Sequence, residues 1–202
     1  ALPILKSRDP KCSDIRPAVV PSVQSRLLFK LMNKKNRAKT AELLADLNIA
    51  ELKYGPTVLT TGVSTLWSEY QRNLTQHSNK LEDVYVLVAA DLKNAHSSIS
   101  LNGVINSIDV KSALGSLQPY LIETSRDRKA VAARGTRLED LGHSIHGLGQ
   151  GIPSAGAFFN LATLQALKDI RALMHRRDPS NQSHIIAGHD DVSIFAPLQH
   201  LE

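Results

Sequence analysis

From Ser22 onward the apolar positions fall into a helical rhythm. Leu27, Leu28, Leu31 and Met32 form one face, and Arg26, Lys30, Lys34 and Lys35 lie mostly away from it. This spacing predicts an amphipathic helix with its leucines turned inward. A second helical pattern covers Ala41–Leu47, "KYGPTVLTTG" reads as a loop that breaks it, and Val63–Leu74 reads as a third helix carrying the single Trp67. Upstream, Pro3, Pro10, Pro17 and Pro21 hold residues 1–20 in extended or looped segments.

The rhythm then changes. "VYVLVAAD" (Val84–Asp91) is a continuous apolar run rich in β-branched residues, which predicts a strand buried on both faces. It ends in a carboxylate, an uncommon residue at such depth. Residues 103–122 predict one or two helices interrupted near Pro119, and the charged stretch 123–142 a surface strand or loop. "HGLGQGIPSAG" is a Gly-rich loop opening a helix over Ala157–His175, with Leu164, Leu167, Ile170 and Met174 on its core stripe. After the turn "RRDPSNQS", the segment "HIIAGHDDVSIFAP" (His184–Pro197) predicts a β-hairpin with Asp190 and Asp191 at its tip. There is no internal repeat and no low-complexity tract.

Composition adds bounds. The chain has 202 residues, 42% hydrophobic and 21% charged, enough for one globular domain with a sizeable core. The single Cys12 excludes a disulfide framework and predicts an intracellular site, with nucleus and mitochondrion both open. No apolar run approaches the ~20 residues needed to span a bilayer, so no membrane partner is expected. The chain begins with Ala and shows no signal peptide, as an excerpt, a processed chain or a partial sequence would. The net charge is +5, and residues 1–39 hold ten Lys or Arg against Asp9 and Asp14. A basic end suits a polyanion, most simply nucleic acid, and equally a solvated basic helix face.

Asp91, Asp190 and Asp191 carry the candidate chemistry. If their two elements are neighbours in one sheet, the three carboxylates converge and call for a cation. Mg²⁺ takes hard oxygen ligands, commonly one or two carboxylates plus substrate phosphates, and two such ions can clamp an in-line phosphoryl transfer. Taken alone, the hairpin pair is equally explained by the preference of Asp for turns. Other constellations are weaker. His143-x-x-His146 has no further ligands at metal-binding spacing. "GLGQG" lacks the Gly-Lys-Ser/Thr of a P-loop, Ser154 is not in a nucleophile elbow, and Cys12 reads as an incidental thiol.

In order and context these segments resemble the fingers and palm of reverse transcriptases, nearest the non-LTR retrotransposon type. "ALPILKSRDPKCSDIRPAVVPSVQSRLLFKLM" is similar to the opening fingers segment, "AADLKNAHSSIS" to the first palm motif, "GLGQGIPSAGAFFNLATLQAL" to the Gln-Gly-x-Pro loop and its helix, and "AGHDDVSIFAP" to the aromatic-x-Asp-Asp hairpin. The resemblance implies an α/β (α+β) fold: a small antiparallel palm sheet backed by helices over 81–202, incomplete at its C-terminus, with a fingers-like segment over 1–80 and no thumb. It implies an RNA-directed DNA polymerase that transfers nucleotides from a dNTP to a primer 3′-hydroxyl on an RNA template. Asp91, Asp190 and Asp191 would be the catalytic residues and would hold two Mg²⁺ ions, with Mn²⁺ as a substitute. Lys6, Arg16, His96, Gln150 and Gly151 would bind the dNTP.

Three departures from the pattern bear on these roles. His96 stands where the family has Phe or Tyr, Gly188-His189 replaces the aromatic-x pair, and Ser154-Ala155-Gly156 replaces Leu-Ser/Gly-Pro. The chain also stops eleven residues after Asp191, so it is expected to hold primer–template poorly by itself. The alternative is a domesticated, non-catalytic subunit that binds RNA through its basic N-terminal residues.

Overall fold

In the computed structural model, the described residues are 2–5, 15–18, 21–44, 47–50, 55–77, 84–92, 95–108, 115, 118–125, 129–134, 137–143, 147–148, 151–179 and 182–200. They form seven strands and six α-helices, an α+β arrangement with three small antiparallel sheets. Two compact units share the chain: residues 1–39 with 94–162, and residues 40–93 with 163–202.

In the first unit, β1 (Leu2–Leu5) pairs with β2 (Ile15–Ala18), and β4 (Lys129–Arg134) with β5 (Arg137–His143). For these four strands only the backbone is described. The long helix α1 (Val23–Leu44) absorbs both of the first two expected helices. Its orientation is the reverse of the sequence expectation. Phe29, Asn36, Thr40 and Leu44 are buried, while Leu27, Leu28 and Leu31 are exposed. The side-chain amides on this side are satisfied: the half-buried Asn33 donates to the Pro153 carbonyl at 2.7 Å, and the buried Asn36 donates to the Met32 carbonyl at 2.9 Å. Helical rhythm alone found the leucines, but it could not see that the polar stripe has partners waiting for it.

The short helices α3 (Ala95–Ser98), α4 (Leu101–Ser107) and α5 (Gln118–Ser125) follow. Ser100 caps α4 by accepting from the Gly103 N–H. Pro119 starts α5 rather than interrupting it, because the first turn of a helix has no use for its missing N–H. The same logic corrects the expected loop at "KYGPTVLTTG": α2 runs from Gly55 to His77, with Pro56 in its first turn. Only its start is a break, and Gly55 is required there because a Cβ would meet the Ile49 carbonyl oxygen.

The second unit is built on a sheet of order β3–β7–β6, formed by β3 (Tyr85–Asp91), β6 (His184–Gly188) and β7 (Asp191–Pro197). One face carries Ile185, Ala187, Val192 and Ile194, which pack with Leu47 and with Leu164, Leu167 and Met174 of α6 (Ala155–Arg177). Ile170, expected on that stripe, is 38% exposed on its flank. On the other face Tyr70 of α2 meets Tyr85 and Phe195 edge-on, and those two rings stack at 4.9 Å. The expectation that β3 is buried on both faces fails. Among the described residues it is an edge strand, half-buried to Leu87 and exposed from Val88 on. The free edge of β6 is covered instead by residues 47–50, where Ile49 donates to the Ala187 carbonyl and Ala187 to the Leu47 carbonyl. At the far end the buried Asp178 accepts from the Ser183 N–H and hydroxyl at 2.6 and 2.7 Å, tying the end of α6 to the start of β6.

The reversed orientation of α1 sets an expected outcome. Phe29→Ala should cost about 3–5 kcal/mol of stability. Leu31→Ser should change it by no more than about 0.5 kcal/mol. Urea unfolding followed by circular dichroism measures both.

Candidate carboxylate site

The site begins with the register of one strand pair. β3 and β7 pair antiparallel without interruption, from Tyr85 opposite Pro197 to Asp91 opposite Asp191. Directly opposed residues of such a pair project to the same face, with Cβ atoms about 5 Å apart. Asp91 and Asp191 are therefore cross-strand neighbours on the exposed end of one face. Asp190 occupies the adjoining turn, and its carbonyl accepts the Leu92 N–H at 3.2 Å, which fastens the turn to the end of β3. Three carboxylate residues, a hundred positions apart in the chain, thus meet at one end of one sheet.

The turn itself is tight. Gly188 pairs with Asp191, leaving a two-residue loop of His189 and Asp190. His189 has φ +58° and is the one non-glycine residue at positive φ among the described residues. Positive φ at the first central position is what a two-residue hairpin demands, and glycine or asparagine is its usual occupant. A histidine there stores local strain. Gly188 lies in the same row as Asp91 and Asp191. A Cβ on it would come within 2.6 Å of Leu59 Cδ2, so α2 covers the face beside the aspartates at this point.

Asp91 and Asp191 are exposed and Asp190 is half-buried, and carboxylate oxygens are the donors a hard divalent cation takes. Among the described residues, no group of three or more His, Cys, Asp or Glu side chains is placed to hold a metal ion, so the strand pairing brings the three aspartates to one sheet end without gathering their side chains into a ligand cluster.

The other candidate residues belong to the first unit. Arg16 stands in β2 opposite Ile4, with its side chain outside the described set. Lys6 and Gln150 lie outside the described residues, as do Cys12 and His146. His96 is half-buried in α3 and packs edge-on against Phe159 of α6, ring centres 5.0 Å apart. The Gly-rich loop is anchored at both ends. Gly147 donates to the Ile99 carbonyl and Leu148 to the His96 carbonyl, and Pro153 accepts from Asn33. Gly151 has φ +108° and is exposed. Gly147, at φ +86°, leaves no room for a side chain, since a Cβ would sit 2.8 Å from the Ser97 carbonyl oxygen. Asn33 was passed over in the sequence because its role depends on a partner 120 residues away.

What fold and site define together is an α+β protein with a carboxylate-bearing hairpin laid against a carboxylate-ended strand. Against solved structures, the chain is similar to a telomerase from Candida tropicalis truncated from its C-terminal domain, with TM-score 0.49 and 13% identity over 86% of this chain and 34% of that one. It is similar also to a telomerase from Candida albicans in complex with a TWJ fragment of telomeric RNA, with TM-score 0.45 and 11% identity over 86% of this chain and 30% of that one. The chain spans about a third of the length of these structures. At these values the likeness is a loose one of chain path and says nothing about chemistry. No family model and no curated protein sequence matches the chain.

Two outcomes follow from the local geometry. Like charges directly opposed across strands destabilise a sheet, so Asp91→Asn should raise stability by about a few tenths of a kcal/mol in chelator-treated buffer. Thermal unfolding with EDTA measures it. His189→Val should cost about 1–2 kcal/mol, because a β-branched side chain is poorly tolerated at positive φ, whereas His189→Gly should not. Parallel urea titrations of the two variants separate the cases.

Proposed function

We propose that this chain is the fingers and palm portion of a reverse transcriptase-type enzyme, an RNA-directed DNA polymerase that extends a primer 3′-hydroxyl with dNTPs on an RNA template. The observation that carries the proposal is the opposition of Asp91 and Asp191, with Asp190 held beside them by the Leu92–Asp190 hydrogen bond. Carboxylates directly opposed across strands repel, and a bound cation would offset that repulsion.

In this proposal Asp91, Asp190 and Asp191 would hold two Mg²⁺ ions, or Mn²⁺ in their place, together with the oxygens of a bound triphosphate. When bound, the metal neutralises triphosphate charge and favours ionisation of the attacking hydroxyl. The protein's own share is positioning and electrostatics. Asp91 and Asp191 present oxygens from rigid strands, and Asp190 from a turn whose conformation the hairpin dictates. The planar guanidinium of Arg16 suits a bidentate grip on phosphate, with Lys6 as a second cation. The Gly151 backbone, free of a side chain, lets a nucleotide approach closely, next to Gln150. The His96 ring, fixed against Phe159, would stand beside the sugar.

The test is primer extension, on an RNA template with dNTPs and Mg²⁺, by a protein in which this chain is completed by the rest of the palm and a thumb. Asp190→Asn and Asp91→Asn should each reduce extension by at least about a hundredfold, with folding intact by circular dichroism. Undiminished extension in either variant would refute the assigned role.

A further inference from the structure

The outer face of α1 is a surface that neither the core nor the carboxylate site uses. From Val23 to Lys39 the sequence holds six Lys or Arg and no Asp or Glu. All six side chains are exposed, and they are ordered around the helix. At about 100° per residue, Arg26, Lys30 and Arg37 line one flank, and Lys35 and Lys39 the other. Between the flanks runs a narrow apolar ridge of Leu27, Leu31 and Ala38, with Lys34 at its edge, Val23 on the Lys30 side and Leu28 between Lys35 and Lys39. Val23 is 80% exposed, Leu27 58% and Leu31 56%.

This ridge has no way inward. The opposite face of α1 is already committed, with Phe29, Asn36 and Thr40 buried and Asn33 bonded to the Pro153 carbonyl. Turning the leucines in would expel that whole stripe. An apolar ridge bordered on both sides by cations has the form of one partner in a helix–helix contact, where the seam is apolar and the flanking charges choose the mate. Charge complementarity then specifies the occupant.

We propose that the outer face of α1 docks an amphipathic helix of a partner protein, one whose apolar stripe is bordered by Asp and Glu. Nucleic-acid phosphates would satisfy the cations but leave Val23, Leu27 and Leu31 in water. A lipid surface would take up the leucines, but interfacial helices present a broad apolar face to it, and this ridge is narrow.

The experiment uses the whole chain and a fluorescent synthetic helical peptide with a leucine seam flanked by glutamates. A second version carries lysine in place of each glutamate. Fluorescence anisotropy should show salt-sensitive binding of the Glu-flanked peptide and none of the Lys-flanked one. Leu27→Ser combined with Leu31→Ser should weaken binding by about tenfold or more. Lys30→Glu combined with Lys34→Glu should do the same and transfer preference to the Lys-flanked peptide. These side chains are exposed, so the variants keep their fold, which circular dichroism checks. Three outcomes would overturn the proposal: no binding of the Glu-flanked peptide, binding indifferent to the leucine substitutions, or leucine-dependent binding of single-stranded RNA or anionic phosphatidylserine vesicles that displaces the peptide.

Discussion

Everything distinctive about the second unit depends on the unbroken backbone ladder between β3 and β7. Side chains alternate along a strand, so a slip of one residue would send Asp91 to the face that packs against α6 and bring Ala90 opposite Asp191. The register is held from both sides of the sheet. On one face Val192 and Ile194 sit in the cluster with Leu47, Leu167 and Ile185. On the other, Tyr85 and Phe195 stack on each other and against Tyr70. The Tyr85 N–H donates to the Tyr70 hydroxyl at 2.6 Å, which fixes where β3 begins. The aspartates follow from that register, with the Leu92–Asp190 backbone bond as a local tie at their end of the ladder. They stand where they do because the apolar part of the ladder has no other way to pair.

The hairpin with Asp190 and Asp191 could be read directly from the sequence, because two apolar runs around a short polar turn have few other solutions. The α6 stripe of Leu164, Leu167 and Met174 was equally plain. What could not be read was the choice between two faces of α1. Leucine spacing pointed one way, but the inner side holds the half-buried Asn33 and the buried Asn36 and Thr40, and the place of the two amides makes sense only with the Pro153 and Met32 carbonyls in view. The failure at β3 has a similar cause. An apolar run announces a strand but not how many neighbours it has, and Val88 at 39% exposure shows the cost of assuming two. The convergence of Asp91 with the hairpin was an inference about adjacency, which local sequence does not encode and the ladder supplies.

The two units solve different problems with the same helices. α1 and α6 each begin in one unit and end in the other. Within the first unit α1 serves as a post to which the Gly-rich loop is tied, through Asn33 at Pro153 and through Ser154 reaching the Phe29 carbonyl at 3.5 Å. A loop dense in glycine is costly to order, and hydrogen bonds at residues 147–148 and again at 153–154 hold its two ends.

The pairing of residues 85–91 with 191–197 also governs when this molecule can fold. A ribosome adds about 5–20 residues per second, so β3 leaves it several seconds or more before its partner strand is made. Loop closure over such a span is slow compared with the microseconds a two-residue hairpin requires. During that interval an apolar strand with a bare edge is available to any other chain that meets it. The sheet end that gathers three aspartates therefore forms only after residue 191 has been made, and the run from Tyr85 to Ala90 must be kept from wrong partners until then.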